Sequence, residues 1–168
     1  MQETILSVGI DIGTSTTQLI FSRLTIENLA SNYTVPRISI VNKEVIYRSG
    51  IHFTPLKSQT EIDAAQVKDI IRDEYRKADM RPEDLQTGAV IITGETARKQ
   101  NANTVLESLS DMAGDFVVAT AGPDLESVLS AKGAGTDKIS EEKREVVANL
   151  DIGGGTSNIA SFRKGNLQ

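Results

Sequence analysis

The 168-residue sequence contains no cysteine, no tryptophan and a single histidine, and each scarcity excludes a class of function. Without cysteine the chain can form no disulfide framework, no zinc–thiolate or iron–sulfur site and no thiol nucleophile, which favours a reducing compartment. One histidine excludes a paired-histidine metal site, and no nucleophile-elbow sequence accompanies it for a serine-hydrolase triad. We therefore expect His52 to have a structural or surface role.

Positive charge, aromatic rings and long apolar runs are also scarce. The formal net charge is −5 and aromatic residues make up 4% of the chain, so we expect no nucleic-acid-binding surface. No apolar run approaches the roughly 20 residues that span a bilayer, and the N-terminus lacks the basic-then-apolar layout of a signal peptide. The composition predicts a cytoplasmic protein without nucleic-acid or membrane partners.

The chain does contain the hydrophobic patterns of a folded domain. Its first part predicts an antiparallel hairpin over residues 5–26, followed by strand segments at 35–41 and 45–47. Apolar residues at helical spacing then predict a helix that begins with a capping box of Thr60 and Asp63 and ends near residue 79. A three- or four-stranded meander followed by a helix is expected.

The second part of the chain alternates strand and helix patterns. These predict strands at 89–93 and 116–119, helices at 102–113 and 123–130, and a second hairpin at 146–162. The charged segments 72–77 and 133–145 are typical of solvated surface, the latter with one helical turn from Ser140. The alternation favours an α/β fold in which a mixed sheet, with an antiparallel N-terminal hairpin or meander, carries helices on its faces.

Two turns in this pattern repeat one motif. Each follows a hydrophobic strand that ends in aspartate, Asp11 or Asp151, and each is rich in glycine and hydroxyl residues. Glycine lets the backbone approach an anion with its N–H groups exposed, hydroxyls add donors, and a strand-terminal carboxylate can hold Mg²⁺ or its water shell. Glycine and threonine are ordinary hairpin residues, but their repetition in one context favours a polyphosphate clamp. The candidate phosphate-binding residues are Gly13, Thr14, Ser15, Thr16, Gly153, Gly154, Gly155 and Thr156.

The paired turns resemble the two phosphate loops of the actin, sugar-kinase and Hsp70 ATPase superfamily. Within it, the segments at 92–99 and 121–129 resemble the reactivating factors of ethanolamine ammonia-lyase, and the resemblance runs the whole length of the chain. It implies an actin-like, ribonuclease H-like fold and a chaperone that uses ATP and Mg²⁺ to release damaged cobalamin from the lyase. Adenosylcobalamin would belong to the partner enzyme. The setting implied is the cytoplasm, with possible association with a bacterial microcompartment.

The resemblance also implies roles for individual residues. Asp11 and Asp151 correspond to the catalytic carboxylates: Asp11 holds Mg²⁺ through water, and Asp151 lies across the cleft on Mg²⁺ or the attacking water. The first loop corresponds to the one that binds the β and γ phosphates, and the second offers backbone and hydroxyl donors. Hsp70-like proteins carry a glutamate before the proline that opens the next helix, where this chain has Gly122. We therefore expect at most slow ATP hydrolysis, with Glu126, one helical turn further on, as the candidate substitute.

The domain prediction assigns residues 1–168 to the first lobe of such a protein, with an inserted subdomain near residues 35–85 and the second lobe absent. The chain stops just inside a strand predicted after Asn166, as a fragment would. Because the superfamily's second lobe holds much of the nucleotide base, we expect this chain alone to bind nucleotide weakly and to be inactive. Two alternatives remain open: a phosphotransferase or phosphohydrolase, such as a sugar kinase or exopolyphosphatase, and an actin-like filament or scaffold protein.

Overall fold

A computed structural model of the chain describes residues 2–28, 38–112, 115–120, 122–154 and 156–168. Its strands are β1 Gln2–Ile12, β2 Thr16–Asn28, β3 Ile38–Arg48, β4 His52–Phe53, β5 Leu56–Ser58, β6 Glu61–Ile62, β7 Thr87–Ile92, β8 Asp115–Thr120, β9 Val146–Ile152, β10 Ser157–Arg163 and β11 Asn166–Leu167. Its α-helices are α1 Ala64–Lys77, α2 Ala102–Leu109, α3 Pro123–Gly133 and α4 Thr136–Lys143. Within this described part, no helix is long and apolar enough to cross a membrane.

A mixed sheet organises the first part of the chain. Its strand order is β3-β2-β1-β7-β8, with β4 also paired to β2. The pairs β1–β2 and β2–β3 are antiparallel, whereas β1–β7 and β7–β8 are parallel, which confirms the predicted mixed sheet with an N-terminal hairpin. The two segments predicted around residue 42 form one strand, β3, because the polar residues between them, Asn42 and Lys43, pair directly with Thr25 and Leu24 of β2. Residues 35–37 of that prediction lie outside the described residues.

One face of this sheet is buried against α1 and α2. Side chains alternate across a strand, so Ile10 and Ile12 point into the core while Asp11 points to the opposite face. The helices contribute apolar residues at helical spacing to the same cluster. Its buried members include Val8, Ile10, Ile12, Leu19, Phe21, Val67, Ile71, Tyr75, Val90, Ile92, Val105, Leu106 and Leu109. Burial on that face therefore fixes which side of β1 presents its polar residues.

Two features of α1 correct the predictions. The helix begins at Ala64, because the Asp63 carboxylate caps it by accepting a hydrogen bond from the Gln66 N–H at 3.1 Å, so the predicted start at Thr60 is wrong. Glu74, predicted to be solvated, is only 1% exposed. It lies one turn from Ile71 on the buried side, where sequence charge alone does not reveal its polar partners. The predicted helix end near residue 79 is confirmed, since the C-cap is Ala78.

The second hairpin forms a separate three-stranded sheet, ordered β11-β10-β9, and does not join the first sheet. Helices α3 and α4 pack on it, around a small core that contains Phe162 and Ala131. The segment at 133–145, predicted as surface with one helical turn, instead contains α4, in which Thr136 and Ser140 are buried. These small polar residues occupy one helical face, and the Ser140 hydroxyl accepts a hydrogen bond from the Gly165 N–H at 2.9 Å. The predicted inserted subdomain and the division into lobes stay predictions.

Candidate functional site

The first glycine-rich turn connects β1 to β2, and these two strands lie in the interior of the mixed sheet. The Gly13 N–H donates to the Thr16 carbonyl at 2.9 Å, which closes the turn. A Cβ added at Gly13 would lie 3.1 Å from that same carbonyl oxygen, closer than side chains usually approach. Glycine at this position therefore allows the tight turn that the sequence predicted.

Two threonines from distant parts of the chain fix this turn. The hydroxyls of Thr54 and Thr96 both donate to the Gly13 carbonyl, at 2.8 and 3.1 Å. The Thr54 N–H donates to the Ser15 carbonyl at 3.0 Å. Sequence reasoning missed both threonines, because lone threonines in loops carry no pattern. Their bonds hold the turn's backbone in place without any ligand, which is the preorganisation that an anion-binding loop requires.

The second turn joins β9 to β10 and repeats the geometry of the first. The Gly153 N–H donates to the Thr156 carbonyl at 2.8 Å, the counterpart of the 2.9 Å bond between Gly13 and Thr16. Gly155 lies outside the described residues. The likeness detected in the sequence is thus also a likeness of backbone hydrogen bonding.

The two turns meet across a cleft between the two sheets. A Cβ added at Gly154 would come within 2.7 Å of the Ser15 Cβ, so the second turn touches the first closely. A Cβ at Gly94, which has φ of +59°, would collide with the Thr14 hydroxyl. Glycine is required at both positions because each backbone packs directly against a side chain of the first turn.

The cleft between the turns has a volume of about 340 Å³. Backbone amides, hydroxyls and carboxylates dominate its wall, and Ile51 supplies an exposed apolar side chain. All the predicted site residues within the described part of the chain line it. Its wall comprises Asp11, Gly13, Thr14, Ser15, Thr16, Gln18, Ile51, Thr93, Gly94, Glu126, Asp151, Ile152, Gly153, Gly154 and Thr156.

Three carboxylates share this cleft, namely Asp11, Asp151 and Glu126. Enclosure by the cleft walls is the largest effect on Asp11, and it outweighs the hydrogen bond that the Thr93 hydroxyl donates at 3.2 Å. Together with repulsion from Glu126 and Asp151, it raises the pKa of Asp11 to about 6. Among the described residues, no three acidic or histidine side chains are close enough to form a direct metal-binding cluster.

Thr93 could have been found from the sequence pattern. It directly follows β7, the parallel neighbour of β1, and its N–H donates to the Ile12 carbonyl at 3.1 Å. Residues that follow adjacent parallel strands meet at one edge of the sheet, which is where such sheets place their ligands. The same rule accounts for Gly94, the next residue along.

Helix α3 brings Glu126 to the cleft. The helix begins at Pro123 with Gly122 as its N-cap, so the position where Hsp70-like proteins carry glutamate has no side chain here. Glu126 lies one turn later, and its carboxylate accepts a hydrogen bond from the Gly94 N–H at 3.3 Å. This bond links the helix of the second sheet to the loop that follows β7 of the first.

Comparison with solved structures defines the class of fold. An Aquifex aeolicus member of the Ppx/GppA family matches with a TM-score of 0.60 and 17% sequence identity, over 99% of this chain and 50% of that one. An exopolyphosphatase from Cytophaga hutchinsonii matches with a TM-score of 0.54 and 16% identity, over 96% of this chain and 48% of that one. The chain therefore shares the mixed α/β fold of these solved structures, as predicted.

Sequence comparison gives the family. The family model described as "Ethanolamine utilisation protein EutA" matches residues 3–168, and the chain belongs to this family. It is 47% identical over 163 residues to the ethanolamine ammonia-lyase reactivases EutA of Escherichia coli and of Salmonella typhimurium. Each alignment covers 97% of this chain but 35% of the relative, so the chain spans about a third of the length of these curated relatives.

Proposed function

We propose that the cleft binds Mg-ATP and that the whole protein uses this nucleotide to release damaged cobalamin from ethanolamine ammonia-lyase. The observation that carries the proposal is the pair of matching turns, closed by bonds of 2.9 and 2.8 Å, that face each other across one cleft. The relatives at 47% identity are named as reactivases of that lyase, which supports the choice of partner. Adenosylcobalamin would be the cofactor of the lyase and not of this protein.

The residues of the first turn suit the β and γ phosphates. Gly13 lets the backbone approach a phosphate, and the hydroxyls of Thr14, Ser15 and Thr16 line the same wall of the cleft. The second turn offers Gly153, Gly154 and Thr156 from the opposite wall. Backbone amides and hydroxyls arranged in this way bind phosphate oxygens without needing a lysine or a helix N-terminus.

The two aspartates suit a magnesium ion held through its water shell. Asp11 and Asp151 belong to different sheets, so a cation between them would join the two halves of the cleft. The bound cation would neutralise the negative charge that the phosphates bring to these carboxylates. A cleft of this kind acts by positioning and charge neutralisation.

We propose slow hydrolysis, in which Glu126 orients the attacking water. Glu126 is the third carboxylate of the cleft, and its hydrogen bond to the Gly94 N–H fixes one of its oxygens and leaves the other to accept from water. Gly122, at the position of the usual glutamate, has no side chain with which to do so. The 168-residue chain by itself is proposed to bind nucleotide weakly and to be inactive.

The test uses the full-length protein and ethanolamine ammonia-lyase loaded with cyanocobalamin. We expect Mg-ATP to drive cyanocobalamin release, and Asp11→Asn and Asp151→Asn each to abolish it. Asp69→Asn, an exposed change on α1, is the matched control and leaves release intact. Reactivation that survives in both cleft variants refutes the clamp.

The same preparation separates the rival functions. Turnover of polyphosphate or phosphorylation of a sugar would favour the phosphohydrolase or kinase alternative, and ATP-dependent pelleting would favour a filament. The solved relatives support the fold alone, since their identity to this chain is 17% or less. We also propose a cytoplasmic location associated with a microcompartment, testable by co-sedimentation with shell proteins of ethanolamine-grown cells.

A further inference from the structure

A second cavity lies away from the nucleotide cleft and has a volume of about 510 Å³. It is an open groove beside α1, walled by the turn after that helix and by Met112. Its lining holds four basic side chains and one acidic one, Glu83, together with apolar groups, although the chain as a whole has a net charge of −5. The residues that line it are Lys68, Arg72, Tyr75, Arg76, Met80, Arg81, Pro82, Glu83 and Met112.

Three of the basic side chains form a row along α1. Lys68, Arg72 and Arg76 are spaced four residues apart, so they lie on one helical face at intervals of about 6 Å. Arg81 extends this row beyond the helix end. A helix with acidic side chains four residues apart has the same spacing and opposite charge.

The three arginines of this row contact carboxylates at the surface, whereas the Lys68 ammonium donates to the Ser108 carbonyl at 3.0 Å. Arg72 and Arg76 contact Asp69 and Asp73 one turn away on the exposed side of α1, and Arg81 contacts Asp84 at 2.7 Å. Exposed pairs of this kind contribute about 0–1 kcal/mol each. A guanidinium carries five N–H donors, so a second carboxylate can bind without displacing the first.

The floor supplies the apolar half of the surface. Tyr75 and Met112 line the floor but are only 4% and 7% exposed, and the Tyr75 hydroxyl donates to the Met112 carbonyl at 2.6 Å. Met80 is half-buried beside them. Methionine and the aliphatic stems of arginine adapt readily to apolar side chains of different shape.

We propose that this groove docks an acidic amphipathic helix of a partner protein. The partner's carboxylates pair with the row of Lys68, Arg72, Arg76 and Arg81, and its apolar side chains lie on Met80, Tyr75 and Met112. This is the helix-in-groove mode of recognition, with charge setting orientation and the apolar floor adding affinity. The inference concerns a surface that the proposed nucleotide clamp does not use.

The experiment measures binding of a fluorescein-labelled peptide to the full-length protein by anisotropy. The probe is an amphipathic helix of about five turns with glutamate at every fourth position and leucine beside it. We expect saturable binding that weakens with salt, and at least about tenfold weaker binding to R72E/R76E/R81E. The variant K132E/K138E/K143E, which reverses the same number of exposed charges on α3 and α4, should bind as the wild type does.

A second variant separates charge from folding. R72K/R76K/R81K keeps the positive row and should bind within about threefold of the wild type, while the circular-dichroism unfolding midpoint of each variant reports its fold. Equal affinity for the charge-reversed variant overturns the proposal. So does equal binding of polyglutamate or of a scrambled peptide, which would indicate polyanion attraction only. Failure of the full-length protein to bind the peptide also overturns it, in favour of a groove filled by its own chain.

Discussion

The buried carboxylate of Glu74 gives the sharpest test of how this chain is held together. Glu74 is 1% exposed and receives three hydrogen bonds: from the Lys77 ammonium at 2.6 Å, the Tyr47 hydroxyl at 2.7 Å and the His52 ring at 2.9 Å. These donors come from β3, β4 and α1 itself. One carboxylate therefore ties the helix to the strands at the edge of the mixed sheet.

The size of the stabilisation by Glu74 follows from the balance of burial and hydrogen bonding. Burial alone would raise the pKa of Glu74, but the bonds from Lys77, Tyr47 and His52 outweigh it and lower the pKa from 4.5 to about 2. At about 1.4 kcal/mol for each tenfold change in acidity, this lowering corresponds to about 3 kcal/mol of stability at neutral pH. Because the folded-state pKa is below the unfolded one, this stability is complete above pH 4.5 and is lost as the pH falls towards about 2.

The perturbation is Glu74→Gln, which removes the charge at nearly constant volume. We expect the unfolding free energy at pH 7 to fall by about 3 kcal/mol and the thermal midpoint by roughly 6–12 °C. The matched control is Glu107→Gln, an exposed position on α2, which should change stability by less than about 0.5 kcal/mol.

Denaturation between pH 2 and pH 7, followed by circular dichroism, tests whether the Glu74 carboxylate stabilises the fold. The difference between wild type and Glu74→Gln should shrink steadily as the pH falls below about 4.5. A difference that stays constant across this range, or is absent at pH 7, would refute the reasoning. In that case the carboxylate would be tolerated by the core without stabilising it.

Three further predictions concern the cleft. Gly154→Ala should weaken Mg-ATP binding by at least about tenfold in calorimetry, because its Cβ meets Ser15, whereas Gly122→Ala, into open space, should have little effect. The affinity for Mg²⁺ and nucleotide together should rise from pH 5 to pH 7, because Asp11, with its pKa raised to about 6, becomes charged over this range. A difference in affinity between wild type and Asp11→Asn that does not change with pH would contradict this prediction. Thr54→Val should cost about 1–3 kcal/mol in thermal denaturation by removing the hydroxyl that binds the Gly13 carbonyl, whereas Thr54→Ser should not.

Much of the fold could be predicted because its signals are local. The alternation of Ile10, Asp11 and Ile12 sets the two faces of β1, and the glycine-rich turns fix where each hairpin reverses. The repeated aspartate-glycine-threonine motif predicts both of the turns that line the cleft. Its members need only a strand end and a tight turn, which neighbouring residues supply.

The predictions failed where burial depends on distant partners. Glu74 has the charge of a surface residue, and only its contacts with Tyr47 and His52 explain its burial. The segment containing α4 has few apolar residues, yet Thr136 and Ser140 are buried because β9 and β10 lie beneath them. Polar side chains of this kind become core residues only when another element satisfies their hydrogen bonds.

The sequence by itself determined the long strands, most of the helices, the exclusion of thiol chemistry and the two aspartate-ended turns, since each depends on residue type and short-range spacing, but it did not predict the short strands β4, β5 and β6. Only the tertiary structure decided that the second hairpin forms its own sheet, that Gly154 touches Ser15, and that Glu126 enters the cleft. The contacts of Gly154 with Ser15 and of Glu126 with Gly94 join residues more than 30 positions apart. They depend on how two sheets pack, and no local pattern in the chain encodes that packing.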